Sequence, residues 1–149
     1  MSDKVIICEM IAEDIPKVAD IEKECFSMPW SKEALLESFK QDYSYFVVAK
    51  VDDNVAGYGG IYIVGDEAEI INIAVSGKYR GAGIGKKIVM SLLDKSNEKN
   101  AASTILEVRS SNATAIALYE KCGFEKIGIR KNFYEKPVED AVIMWKEKQ

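Results

Sequence analysis

Three glycines fall at alternate positions in Arg80-Gly81-Ala82-Gly83-Ile84-Gly85, directly before an apolar pattern of helical spacing. Bare backbone at a helix start suits close approach by an anion, because the first helical N–H groups lack partners and the positive dipole end lies there. Lys78, Arg80, Lys86 and Lys87 surround this turn in a chain of formal charge −4, as a phosphate-rich ligand would favour. Two phosphate motifs fail to fit. A dinucleotide-binding GxGxxG needs its third glycine at 86 or 88, where the chain has Lys86 and Ile88. A nucleotide P-loop needs glycine at 80 and Ser or Thr at 87, occupied here by Arg80 and Lys87. From the glycines alone, a turn that only lets a strand meet a helix closely stays an open reading.

Histidine is absent, which excludes Ser/His/Asp triads, Cys/His dyads and the usual zinc sites. Proton transfer must then fall to a carboxylate, a tyrosine, a lysine or a held water. The segment Ile105–Phe124, ILEVRSSNATAIALYEKCGF, offers such groups in a strand, polar turn and helix. Glu107 stands among Ile105, Leu106 and Val108. Strand alternation puts Ile105, Glu107 and Arg109 on one face, so an outward-facing side chain also fits. Glu69, on the run AEIINIAV, is a second carboxylate. Asn112 and Tyr119 lie seven residues apart, near one helical face. Taken singly, Asn112 reads as a helix cap and Tyr119 as a half-buried aromatic.

Elements that must hold these groups follow from periodicity. Strands are expected over Val5–Cys8, Tyr45–Val51, Val55–Val64, Ala68–Val75, Thr104–Val108, Glu125–Arg130 and Ala141–Trp145. Short polar gaps at Asp52-Asp53-Asn54 and Gly65-Asp66-Glu67 make the second to fourth an antiparallel meander. Helices are expected after Asp14-Ile15-Pro16, after an N-cap at Ser31, from Ile84 through Ile88, Val89, Leu92 and Leu93 to near Asn100, and over Thr114–Lys121 before Gly123. This is an α+β pattern: a mostly antiparallel mixed sheet of six to seven strands flanked by about four helices. The 149 residues, 48% hydrophobic, fit one domain spanning 1–149. The acidic balance argues against direct nucleic-acid binding, and no apolar run approaches the ~18 residues of a membrane helix. Cys8, Cys25 and Cys122 fit neither a disulfide framework nor a metal site, and suit a reducing, cytoplasmic setting.

The pattern Arg80-Gly81-Ala82-Gly83-Ile84-Gly85 resembles the pyrophosphate-binding motif of the Gcn-five-related N-acetyltransferases (GNAT). Over essentially the whole chain, FSMPWS, INIAV, LEVRSSNATAIALYEKCGF and IRKNFY with EDAVIM are similar to the RimI-type ribosomal-protein-alanine N-acetyltransferases of that superfamily. The resemblance implies the GNAT acyl-CoA N-acyltransferase fold and acetyl-CoA as acetyl donor, with no metal. It implies that Gly81, Ala82, Gly83, Ile84, Gly85 and Lys86 hold the diphosphate, that Ile73, Ala74 and Val75 pair their backbone with the pantetheine arm, and that Asn112 is a further coenzyme contact. Glu107 matches the family's catalytic base, with Glu69 as second choice, and Tyr119 its general acid. The implied acceptor is a protein N-terminus, the N-terminal alanine of a small-subunit ribosomal protein, with a monomer or weak dimer as the acting species. An α-amine with a pKa near 8 is roughly one-tenth neutral at pH 7, so a carboxylate suffices as base without histidine. Trp30, Phe133 and Tyr134 either line a peptide groove or pack as core. Phe133 stands where the family pattern suggests tyrosine. Two other classes stay open: an acetyltransferase for polyamines, aminoglycosides or lysines, with Glu9, Glu13, Asp14, Asp20, Glu22 and Glu24 as an acidic pocket, and a non-catalytic acyl-CoA sensor.

Overall fold

A computed structural model describes residues 4–148. Seven strands form one sheet in the order β1-β2-β3-β4-β5-β7-β6. The strands are β1 (Val5–Glu9), β2 (Ser44–Val51), β3 (Asn54–Val64), β4 (Glu67–Val75), β5 (Ser103–Arg109), β6 (Glu125–Tyr134) and β7 (Glu139–Glu147). Four α-helices flank them: α1 (Ile15–Cys25), α2 (Lys32–Phe39), α3 (Ile84–Glu98) and α4 (Ala113–Lys121). This is the expected α+β architecture. Among the described residues no helix is long and apolar enough to cross a membrane.

Local chemistry sets the helix ends. Pro16 sits in the first turn of α1, where its missing N–H costs nothing. Ser31 caps α2 by accepting from Ala34 N at 3.1 Å. Gly123 follows α4 with φ +102°, a left-handed turn that stops the helix. α3 ends at Glu98, two residues short of expectation, because Asn100 turns left-handed at φ +63°. β6 and β7 run further than expected, to Tyr134 and from Glu139. Register shifts between Lys126 and Gly128 and between Arg130 and Tyr134 break the alternation from which their limits were judged.

Each face of the sheet buries its own core. Under α1 and α2 lie Val18, Ile21, Leu35, Phe46, Val48 and Tyr58. Under α3 and α4 lie Ile61, Ile70, Ile88, Leu92, Leu106 and Met144. The helical spacing of Ile84, Ile88, Val89, Leu92 and Leu93 turns that stripe inward, all of them buried.

One junction departs from antiparallel pairing. β4 and β5 run parallel and meet only at Glu67↔Ser103, Ala68↔Thr104 and Glu69↔Ile105. Beyond Glu69 an irregularity in the β3–β4 register, which leaves Ile71 without a counterpart, bends β4 away. β5 continues against β7 alone. From Ile70 to Val75 the β5-facing edge of β4 therefore has no strand partner among the described residues.

Leu92→Ala should lower stability by about 2–5 kcal/mol, since the side chain is fully buried and its loss leaves a cavity. Met90→Ala on the exposed side of the same helix should change the denaturation midpoint little. Chemical denaturation of both variants checks this.

Candidate active site

At the end of β4 the chain passes through a short 3-10 turn, Gly77–Tyr79, into the glycine run. Gly81 and Gly83 adopt φ of +85° and +77°, and a Cβ built at either would meet nothing within 4 Å. The turn is thus left-handed and faces open space, which a side chain would fill. Gly83 is the N-cap of α3, and the first intrahelical bond runs from Lys87 N to Gly83 O at 3.2 Å. The amides of Ile84, Gly85 and Lys86 precede that bond and lack helical acceptors. Lys78, Lys86 and Lys87 are exposed around them. Free amides, a positive helix end and cations fit the diphosphate of a coenzyme A.

Arg80 acts differently. Its Nε donates to Val75 O at 3.1 Å and its Nη2 reaches Cys25 Sγ at 3.3 Å, so it ties the turn to the end of β4. Glu24 holds the same turn from α1, accepting from Ser76 Oγ and Gly77 N. The Gly77 N–H, then Ser76, lower its carboxyl below the usual range. Asn112 caps α4 by accepting from Ala115 N at 3.1 Å, so its carbonyl oxygen is engaged within the fold.

Where β4 and β5 part, titratable groups converge from both faces. Glu107 shares the α1/α2 face with Glu69, because Glu69 pairs with Ile105 and Glu107 lies two residues along. Burial first, then the Glu107 charge, raises the Glu69 carboxyl, with Arg130 opposing. Glu107 Oε2 lies 2.6 Å from Arg130 Nε. The N–H is not aimed at it, and this buried oxygen has no hydrogen-bond donor among the described residues. Tyr134 is half-buried, and burial, then Glu107, push its hydroxyl up to about 12. The Arg109 guanidinium stacks over its ring at 4.6 Å and holds the β6–β7 loop through Glu135 O, Pro137 O and Glu139.

Tyr119 comes from the other face. It is 8% exposed in the α3/α4 core, edge-on to Phe124. Burial, then Tyr134, push its hydroxyl far above the ordinary tyrosine range, so it stays protonated at any working pH. The structure thus sets Glu107 beside Glu69 and Arg130 on one face, with Tyr134 near enough to feel Glu107 and to be felt by the buried Tyr119, and leaves Ile73, Ala74 and Val75 along the β4 edge past the last β5 pair. Trp30 is half-buried against the α1/α2 core and Phe133 is 47% exposed.

The acidic residues near the start do not form an open acidic pocket. Asp14 accepts from Ile11 N and pairs with Lys50, Glu24 binds the turn, and Glu22 is fully buried. Sequence reasoning also missed Arg130 over Glu107. Alternation along β6 could have suggested it, had the register shifts been visible.

Gly83→Ala should weaken coenzyme A binding at least about tenfold, since left-handed backbone costs a side chain about 1–2 kcal/mol and the Cβ enters the approach path; calorimetry reads this. Glu139 provides a pH signature. Hydrogen bonds from Ser111, then Arg109 and Ser110, hold its carboxyl down at about 2 against an ordinary 4.5. A depressed folded-state pKa stabilises above the unfolded value and loses that stability as pH falls from about 4.5 toward 2. Between pH 5 and pH 3 the melting temperature of Glu139→Gln should fall less than that of the wild type.

Comparison with known proteins gives the chain's family and its fold relatives. The model of the acetyltransferase (GNAT) family matches residues 15–124. A Bacillus subtilis protein, provisionally named a ribosomal protein bS18-alanine N-acetyltransferase, is 42% identical over 146 residues, covering 97% of each chain. The Escherichia coli ribosomal protein bS18-alanine N-acetyltransferase is 35% identical over 140 residues, covering 93% of this chain and 94% of its own. The crystal structure of the Escherichia coli ribosomal-protein-S18-alanine N-acetyltransferase superposes with TM-score 0.91 at 32% identity, covering 98% and 95%. Ard1 from Thermoplasma volcanium superposes with TM-score 0.90 at 27% identity, covering 97% and 98%. The chain belongs to the GNAT acetyltransferase family and is an acetyl-CoA-dependent N-acetyltransferase.

Proposed function

We propose that this protein acetylates the N-terminal α-amine of a protein, with the N-terminal alanine of a small-subunit ribosomal protein as acceptor. The observation that carries this reading is Glu107, whose buried Oε2 has no hydrogen-bond donor among the described residues and which stands on β5 just past the last residue paired with β4. Likeness to relatives named for ribosomal protein bS18 supports the choice of acceptor.

Acetyl-CoA supplies an activated acetyl thioester. The amides of Gly81, Ala82, Gly83, Ile84, Gly85 and Lys86 hold its diphosphate, and the free edge of Ile73, Ala74 and Val75 takes the pantetheine arm as one strand takes another. A backbone N–H of that edge polarises the carbonyl oxygen. Asn112 keeps its amide N–H groups for the coenzyme, its oxygen being spent on the cap. The acceptor enters on the α1/α2 face, between Trp30 and the Phe133–Tyr134 end of β6. Glu107 Oε2, buried and without a donor, receives the amine N–H and takes its proton as the nitrogen forms the amide bond. Tyr119 delivers its proton to the departing sulfur on the other face. Glu69 is the alternative base, its carboxyl raised by burial and then by the neighbouring Glu107 charge. One domain over 1–149, acting in the cytoplasm as a monomer or weak dimer without nucleic acid or membrane, completes the reading.

Mass spectrometry on peptides beginning with Ala, Ser or Met, on a peptide with only an internal lysine, and on spermidine tests it. We expect the Ala and Ser peptides to be acetylated at the α-amine. Glu107→Gln should lower kcat by about 10²–10⁴, the usual worth of a positioned general base, with coenzyme affinity unchanged. Reaction of lysine or spermidine while the Ala and Ser peptides stay unmodified would identify a different acceptor class. Coenzyme binding with no turnover on any amine would identify a sensor.

A further inference from the structure

The strongest feature outside the reacting groups is a buried carboxylate. Glu22, near the end of α1, is fully inaccessible to solvent, as is Tyr58 on β3. Three donors meet it. Trp30 N donates to Oε1 at 2.9 Å. Tyr58 Oη and Asn72 Nδ2 donate to Oε2, each at 2.6 Å. Asn72 Nδ2 also donates to Tyr58 Oη at 3.0 Å. The Trp30 N–H and the Asn72 amide can only donate here, and the Tyr58 hydroxyl completes the set, so both carboxylate oxygens are engaged. Burial raises the Glu22 carboxyl, while the Trp30 N–H and then Tyr58 oppose the rise.

The two oxygens serve different walls of the reaction gap. Oε1 fixes the backbone where the α1–α2 loop presents Trp30. Oε2 fixes Asn72, the residue after the Ile71 irregularity and immediately before Ile73, Ala74 and Val75. That free edge begins where β4 leaves β5, and no strand on the β5 side restrains it. A charged group buried at this depth is strongly unfavourable unless it is fully paired. A hydrocarbon at position 22 would fill the core without tying either wall.

We propose that Glu22 is a positioning residue for acetyl transfer, setting the acceptor-side loop through Oε1 and the donor strand through Oε2, so that one carboxylate fixes the distance between the two substrates. It touches neither substrate. The inference rests on the reading above for the side from which the acceptor enters, whereas the donor half needs only the family's coenzyme.

Glu22→Gln separates the two walls. A glutamine keeps one acceptor oxygen, and two side-chain donors, Asn72 and Tyr58, claim it against the single Trp30 N–H. The amide nitrogen then faces that N–H, and the loop is released. We expect the variant, folded by circular dichroism at a temperature well below its melting point, to raise KM for an Ala-initiated hexapeptide about tenfold. Displacements near 1 Å in reacting geometry cost up to about 10²-fold. Its coenzyme A Kd should stay within about twofold. Asn72→Ala should do the reverse, weakening coenzyme A binding and lowering kcat while leaving the peptide KM unchanged. A merely structural role would lower the melting temperature and leave KM, kcat and Kd of the folded protein unaltered. That result, or the same constants moving in both variants, overturns the proposal. If Glu22→Gln does not fold, Asn72→Ala decides through coenzyme A calorimetry, where wild-type affinity refutes the donor half. If the wild type leaves the peptide untouched, the acceptor reading fails, and the coenzyme measurement still judges this one.

Discussion

The parting of β4 from β5 is the constraint on which the rest of the structure depends. Three parallel residue pairs bring the two strands together, and then an irregularity opposite Gly60 and Ile61 sends β4 off with its β5-facing edge lacking a strand partner among the described residues. Unpaired backbone inside a sheet is costly unless something else pairs with it. Here the neighbouring features all bear on that edge. β3 holds it from behind, Arg80 and Cys25 bind its final carbonyl, and the glycine turn begins where it ends. An extended ligand with amides of its own and a phosphate-bearing tail matches that arrangement of free backbone followed by free helix amides.

Without histidine, the proposed reaction assigns proton transfer to carboxylates and a tyrosine, which the fold holds on different faces of the sheet. Glu107 and Glu69 occupy the α1/α2 face under the partial cover of Arg130, while Tyr119 is sealed in the opposite core. Tyr134 stands between these environments, responsive to Glu107 and felt by Tyr119. In the proposed mechanism the carboxylates take a proton on one side of the sheet, and Tyr119, whose hydroxyl burial pushes far above the ordinary tyrosine range, gives one on the other. Arg109 and Glu139 contribute only by keeping the β6–β7 loop, and with it Tyr134, in place.

Much of this was legible in the sequence, and the exceptions share a cause. Ser31, Pro16 and Gly123 act through neighbours three or four residues away, so their caps and stops could be read directly. The stripe from Ile84 to Leu93 and the glycine turn are equally local. Arg80 could not be placed from its charge: in the sequence it is one of four cations around the glycine turn, and in the fold it serves as a tie to Val75. Asn112 spends its oxygen on the cap its residue type favours, as its place after a polar turn suggests. Glu22 was the least visible. It stands among five other acids that could all face water, and its partners Tyr58 and Asn72 lie 36 and 50 residues away. Only the sheet register brings them together, and that register contains an irregularity no periodicity reveals.

Titration of the ¹⁵N-labelled protein with acetyl-CoA, followed by amide resonances, tests the central claim most directly. The shifts should concentrate in Ile73 to Val75 and in Gly81 to Lys86, with those amides gaining protection from hydrogen exchange as the coenzyme saturates. Saturating binding that left both segments unshifted, with the changes confined to another face of the sheet, would contradict the account.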